Sequence, residues 1–267
     1  MLDSRLKSLL SMILRKAPEA RPTRARLKAL LDDVRRNPIT AAPGTSGLDA
    51  IAKVSAQIAE TVAMQEAKLH AEKEAAVRRD EICRDALRSL TDDLIKPMLE
   101  RIARSAPMAR HLPKELAVQL GHGMLAVILR ESPIGPDVFR NSTWNICAAA
   151  QIVVAQKAPR QYRWEASLWF GNIGPSDGMR WYEVSYFDHP MRRGRREQAP
   201  FGLADNIPLA DEAAGPAMGD CQIAFGPDAI DGEDRERFWS RWITLLARAS
   251  DGKLEYPRML PLPAAGF

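Results

Sequence analysis

Two aromatic-rich runs of alternating side chains, joined by turn-forming residues, occupy residues 162–187. The first run reads YRWEASLWF and the second reads MRWYEVSYF, and the residues between them include Gly, Pro, Ser and Asp. A period of two over this length, interrupted by such turn residues, predicts a β-hairpin. In the first run, one face is predicted to carry Tyr162, Trp164, Ala166, Leu168 and Phe170, and the other face Arg163, Glu165, Ser167 and Trp169. The chain is therefore expected to build a half-buried antiparallel sheet around this hairpin.

The residues around the hairpin predict further strands and a covering helix. Residues 143–156 alternate as a strand does, although part of this stretch also fits a helix, and residues 221–225 predict a short strand. Residues 232–250 predict a helix with an apolar stripe that contains Phe238, Trp242, Leu245, Leu246 and Ala249. We therefore predict an α+β domain over residues 137–267, in which a roughly four-stranded, mainly antiparallel sheet packs against the C-terminal helix.

A second pattern, over residues 48–106, predicts one long helix, because this stretch has no glycine and a single proline, Pro97. Residues 65–80 are rich in Ala, Glu, Lys and Arg, so this part has high helix propensity but little apolar surface to bury. Apolar residues recur along the helix at near-heptad spacing, strongly at first and then weakly, at Ile51, Ile58, Val62, Leu69, Ala76, Cys83 and Leu90. Such a helix bridges solvent or forms a short coiled coil with a second copy of the chain, and an intramolecular helical hairpin is the alternative.

A further helix is predicted after Pro113, still within the helical region. Apolar residues cover most of its circumference and include Leu116, Leu120, Val127 and Ile128, which indicates a buried helix. Gly121 and Gly123 are expected to permit close contact with a neighbouring helix.

The N-terminal region differs from the rest of the chain in charge. Residues 1–36 carry ten Lys or Arg against four Asp or Glu and predict a basic helical arm, whereas residues 137–267 carry fifteen against seventeen. Residues 37–47 contain two prolines and two glycines and predict a linker. We therefore divide the chain into the arm, the linker, a helical region with the long helix over residues 48–136, and the α+β domain.

The sequence favours a soluble, cytoplasmic protein. Cys83, Cys147 and Cys221 are widely spaced and form no CxxC pair, which fits a reducing compartment. The short N-terminal apolar run is followed at once by Arg15 and Lys16, unlike a signal peptide. The apolar run over residues 124–129 is far shorter than the roughly 20 residues that span a bilayer, so we expect no transmembrane segment.

The sequence lacks the motifs that identify common catalytic and cofactor sites. It contains no HExxH, GxxxxGK[ST] or GxGxxG motif, and its four histidines and three cysteines show no zinc-ligand spacing. The string GPSDG at residues 174–178 has the GxSxG spacing, but it lies in the predicted hairpin turn. We therefore predict no bound cofactor, no metal and no recognised set of catalytic residues.

Residues 188–220 show little periodicity and hold the candidate sites, because long irregular segments in compact domains are often functional. The sequence RRGRR within this segment suits phosphate contacts, and we predict a nucleic-acid or anion site at Arg192, Arg193, Arg195 and Arg196. His189 is the histidine best placed for acid–base work. We predict a pocket that it forms with Asp188, Trp169 and Glu183.

These observations support three hypotheses about function. The leading one is a non-catalytic interaction or adaptor protein, which assembles through its long helix and binds a protein partner through the α+β domain. The second is a nucleic-acid-associated protein that uses the basic arm and the arginines at residues 192–196. The third is an enzyme of unrecognised class with a site near Asp188 and His189.

Overall fold

The computed structural model describes residues 10–11, 14, 23–36, 47–112, 115–136, 138–173, 178–188, 199–216, 219–257 and 262. Contacts between residues divide the chain into two compact units, Met1–Ala75 and Ala76–Phe267. Most of the predicted linker over residues 37–47 lies outside the described residues.

Two helices begin in the first unit, α1 (Arg24–Arg36) and the long α2 (Gly47–Ser89). The Thr23 hydroxyl accepts a hydrogen bond from the Arg26 N–H at 3.4 Å, which satisfies one donor at the start of α1. α2 is 43 residues long and has no glycine after its first residue and no proline. The predicted long helix is therefore confirmed.

The helical run continues from α2 through a π-helical turn, Leu90–Ile95, into α3 (Lys96–Ser105). Pro97 lies in the first turn of α3, while the Lys96 N–H donates to the Thr91 carbonyl five residues earlier. This wider turn accommodates the proline, whose missing N–H would interrupt a regular helix. The π turn and α3 bury their apolar side chains at Leu90, Leu94, Ile95, Met98, Leu99 and Ile102.

In the described part of the chain, seven strands form one antiparallel sheet in which each strand pairs with the next in sequence. α4 (Ile207–Ala214) precedes the last strand and α5 (Arg235–Ser250) follows it. The strands are β1 Arg110–Leu112, β2 Ala117–Leu120, β3 Gly123–Leu129, β4 Asn145–Gln156, β5 Tyr162–Asn172, β6 Arg180–Asp188 and β7 Cys221–Ala229. The α+β class and the predicted hairpin, now β5–β6, are confirmed, but the sheet has seven strands rather than about four.

The additional strands replace the helix predicted after Pro113. β2 and β3 form a hairpin whose turn is Gly121–His122, because Leu120 pairs with Gly123. Gly121 has a φ of +52°, and a Cβ there would lie 2.6 Å from the Ser250 carbonyl oxygen at the end of α5. The glycines therefore provide a tight turn and a close backbone approach, not a helix contact. The strands β1 to β3 lie in the predicted helical region, before residue 136, and β4 to β7 lie in the predicted α+β domain after it. One sheet therefore contains strands from both of these regions.

One face of the sheet carries the larger hydrophobic core. α5 packs there on β2, β3 and β4, and α3 packs beside it on β1 and β2. All five residues of the predicted α5 stripe are buried, together with Trp239. Trp164 and Leu168 of β5 face this core and Trp169 faces the opposite side, which confirms the predicted division of the hairpin into two faces.

The opposite face of the sheet is covered by a second, smaller core. α4 and the residues before it pack there against Trp169, Val184 and Tyr186. Residues 188–220 were predicted to be largely irregular, but they contain α4 and a β-bridge between Phe201 and Tyr186. Residues 199–216 of this segment therefore cover much of the second face of the sheet.

A substitution at Gly226 tests how closely β7 packs against β6. Its φ is +86°, and a Cβ at this position would overlap the carbonyl oxygen of Glu183. We expect Gly226→Ala to lower the free energy of unfolding by about 3 kcal/mol, because backbone strain and steric overlap both contribute. Urea unfolding followed by tryptophan fluorescence measures the loss.

The matched control is Gly232→Ala. Gly232 also has a positive φ, +62°, but a Cβ there would meet no atom within 4 Å. We expect this variant to lose only about 1 kcal/mol, the cost of the left-handed backbone alone. Equal losses in the two variants would show that the overlap at Gly226 is relieved without cost.

Candidate interaction surface

The exposed apolar face of α2 is the clearest candidate for an interaction surface. Ile51, Ile58, Val62 and Leu69 lie on it and are 61%, 59%, 45% and 53% exposed. With 3.6 residues per turn, these positions fall within about 40° of one another around the helix axis. We call these four side chains the α2 stripe.

The two halves of the α2 stripe have different borders. Val54 and small Ala and Ser side chains flank the half that contains Ile51 and Ile58, whereas charged side chains flank the half that contains Leu69. On the charged half, Lys68 and Glu72 form an ion pair 3.9 Å apart. An exposed pair of this kind contributes only about 0.3–0.5 kcal/mol to a helix. The stripe itself remains the main apolar surface of this part of α2.

Beyond Leu69, the same helix face changes from exposed to buried. Cys83 and Leu90 continue the heptad spacing but are 2% and 1% exposed in the core of the second unit. Arg79, also in that unit, donates from Nε to the Ile134 carbonyl at 2.7 Å. Cys83 and Leu90 are therefore used for intramolecular packing, and the α2 stripe ends at Leu69.

The described residues of the predicted pocket are not brought together. Trp169 and Glu183 are both fully buried, but they lie on opposite faces of the sheet. Trp169 donates from Nε1 to the Tyr186 hydroxyl at 3.2 Å within the smaller core. Asp188 is the last residue of β6 and is partly exposed. Outside the described residues lie His189, Arg192, Arg193, Arg195 and Arg196.

The polar face of β5 is covered as well. Glu165 accepts hydrogen bonds from the Gln151 side chain at 2.5 Å and from the Gly202 N–H at 3.3 Å. The Ser167 hydroxyl accepts a hydrogen bond from the Leu203 N–H at 2.7 Å. These bonds hold the chain before α4 against the sheet, so this face forms an internal contact.

A buried ionic cluster lies beneath α5, and sequence reasoning missed it. Glu183 accepts a hydrogen bond from Trp242 Nε1 at 3.0 Å, and its other carboxylate oxygen lies 3.3 Å from Arg241 Nη1. The Arg241 guanidinium also lies 3.8 Å from the Asp228 carboxylate. It stacks on Phe225, with 4.1 Å between Cζ and the ring centroid. The sequence placed Glu183 in a predicted pocket with His189, Asp188 and Trp169, whereas its partners in the structure come from α5 and β7.

The surroundings of Glu183 determine its protonation. Burial raises the pKa of Glu183 to about 7, although Arg241 and the Trp242 hydrogen bond act in the opposite direction. Burial also lowers the pKa of Arg241. Both shifts indicate that desolvation costs the charged pair more than mutual attraction returns. Because Glu183 has no exposed surface, we interpret the cluster as part of the core.

The signal for this cluster was the position of the acid along β6. Alternation places Glu183 on the same face as Trp181, which is buried in the larger core. A charged residue at a core-facing position requires a buried partner. Arg241 of α5 is that partner, but the sequence alone does not reveal the pair, because it depends on how α5 packs on the sheet.

The second unit also carries surface clefts. One, of about 370 Å³, lies between α3 and α5. Another, of about 530 Å³, lies between the end of α2 and the β5–β6 hairpin. The floor of this second cleft is apolar and its rim is mostly acidic, with Leu90, Leu94, Phe170 and Trp181 below and Asp85, Asp93, Asp231 and Arg235 around the edge. We call it the acidic cleft.

The raised pKa of Glu183 predicts a pH-dependent stability. In the folded chain the Glu183 carboxyl keeps its proton up to about pH 7, whereas the ordinary pKa of a glutamate side chain is 4.5. Between these values the folded state binds more protons than the unfolded state, so stability falls as the pH rises. We expect the titration of Glu183 to lower the free energy of unfolding by on the order of 2 kcal/mol between pH 5.5 and pH 7.5, as measured by urea unfolding.

Glu183→Gln should remove that contribution, because the amide keeps an oxygen for Trp242 but does not titrate. Glu131→Gln, at an exposed acid, is the control and should keep the wild-type pH dependence. An unchanged slope in Glu183→Gln would show that the acid does not titrate in this range.

Among the described residues, no three His, Cys, Asp or Glu side chains are placed to hold a metal ion. None of the described helices combines the length and the apolar character that crossing a bilayer requires. The chain matches no family model, no curated protein and no solved structure.

Proposed function

We propose that the chain is an interaction protein, which self-associates through α2 and binds a protein partner through its α+β domain. The exposed α2 stripe is the observation that carries the proposal. Its side chains are 45–61% exposed and aligned on one helix face. Aligned apolar surface of this kind is characteristic of helices that pack against another helix.

The spacing of the stripe supports a helix–helix interface. Its residues are separated by steps of seven, four and seven, which keep them on one side of the helix as coiled-coil packing requires. The four-residue step is the ordinary spacing from a d position to the next a position, so all four residues fall on one uninterrupted heptad repeat. α2, with 43 residues, is about 64 Å long and can accommodate a partner helix along the stripe.

The strength of this association follows from the small size of the stripe. Completing the burial of a half-exposed Ile, Leu or Val side chain contributes roughly 1 kcal/mol. Association costs about 4 kcal/mol or more in lost translational and rotational freedom. We therefore expect a reversible dimer that forms at micromolar or higher concentration, in contrast to an obligate dimer.

The acidic cleft supports the second half of the proposal. Its apolar floor, which includes Phe170 and Trp181, suits the apolar side chains of a partner segment. Its rim, with Asp85 and Asp93, favours Lys or Arg beside those side chains. Binding through these carboxylates is expected to weaken as the salt concentration rises.

Ile58→Lys tests the α2 stripe. A lysine at the middle of an apolar interface would be desolvated without a partner, so we expect the dimer dissociation constant to rise by about tenfold or more. Light scattering coupled to size exclusion, over a range of protein concentrations, measures the constant. Circular dichroism establishes that the helix is retained.

The matched control is Met64→Lys. Met64 is as exposed as Ile51, at 61%, but it lies on the other side of α2. We expect this variant to associate as the wild type does. The proposal is contradicted by a wild-type chain that stays monomeric at high concentration, or by equal effects of the two substitutions.

A further inference from the structure

We infer that the α2 stripe binds the α2 stripe of a second copy in antiparallel orientation, with a two-fold axis close to residue 60. This inference rests on the proposed self-association and specifies its geometry. The spacing of the stripe is symmetric about that point. Ile51 and Leu69 each lie nine residues from position 60, and Ile58 and Val62 each lie two residues from it.

A two-fold axis at this position gives every stripe residue an aliphatic partner. Antiparallel helices would set Ile51 opposite Leu69 and Ile58 opposite Val62, and the symmetry would repeat both pairs. Glu60 lies about half a turn away from the stripe, on the far side of the helix. The centre of the interface is therefore free of charge.

A parallel pair would also match aliphatic residues, but it would bring like charges together. With Leu69 at heptad position a, Lys68 occupies g, Glu72 occupies d and Lys73 occupies e. In a parallel coiled coil, Glu72 would face its own copy across the seam. Lys68 would lie beside Lys73 of the second copy, a contact that destabilises the pair.

The antiparallel arrangement avoids both contacts. It would place residues 61–73 of one helix, which carry these charges, along residues 47–59 of the other. The flanking residues of this second segment include Ala52, Ser55 and Ala59, whose small side chains allow the helices to approach closely. Its lysine, Lys53, lies on the side of the helix opposite the stripe. The uneven distribution of charge along α2 thus favours the antiparallel pair.

Single cysteines at the two ends of the stripe, Ile51→Cys and Leu69→Cys, test the orientation. In the antiparallel dimer, Cys at 51 lies within disulfide reach of Cys at 69 in the second copy, whereas identical positions are about 27 Å apart. The native thiols of Cys83, Cys147 and Cys221 are buried, so the wild-type chain serves as the unreactive control. Each variant is oxidised alone and in an equimolar mixture, at a concentration where light scattering shows dimers.

We expect about tenfold more cross-linked dimer in the mixture than in either variant alone, because only the mixed pair meets the distance requirement. Cross-linking of each variant alone, with no gain in the mixture, would overturn the antiparallel geometry but leave self-association intact. Monomers by light scattering, with no cross-linking in any sample, would overturn both. The two failures are therefore distinguishable.

Discussion

The larger core depends on tryptophan side chains that must bury an indole ring and satisfy its N–H at the same time. Trp181 donates to the carbonyl of Ala86 in α2 at 3.3 Å, and Trp239 donates to the carbonyl of Leu94 in the π turn at 2.9 Å. Trp164 donates to the Glu255 carbonyl at 3.0 Å. An indole left unpaired in this core would forfeit part of what its burial contributes. The positions of the helices and of the C-terminal segment around the sheet are therefore constrained by directional bonds as well as by apolar contact.

Trp242 follows the same rule but uses a side-chain carboxyl group as its acceptor. Its N–H donates to Glu183, and the carboxyl in turn requires Arg241, so one indole brings an ionic cluster into the core. Burying the charged groups of such a cluster costs free energy of desolvation, and leaving one of them without its partner destabilises the fold even more. The cluster helps to fix the position of α5, because its polar groups match in one register of α5 on the sheet and not in others. The acidic cleft therefore lies on a domain whose packing is specified in this way.

Local sequence patterns predicted those elements in which one continuous stretch of the chain shows a clear periodicity of apolar residues. The β5–β6 hairpin, the long helix and the α5 stripe are of this kind. The strands β2 and β3 were missed because Gly121 and Gly123 meet the Ser250 region of α5, a contact that no local pattern reveals. The α2 stripe was visible from spacing alone. Its end at Leu69 was not, since the burial of Cys83 depends on tertiary packing.

The π turn at Leu90–Ile95 has a consequence for how this chain tolerates changes in length. A π turn contains an extra residue, so it shifts the rotational phase of every residue that follows it in the same helical run. Here that shift sets the apolar side of α3 toward the sheet, where Met98 and Leu99 are fully buried. Losing one residue from this turn would rotate α3 by about 100° relative to α2. Surface loops absorb such deletions readily, but this turn fixes the relative phase of two helices.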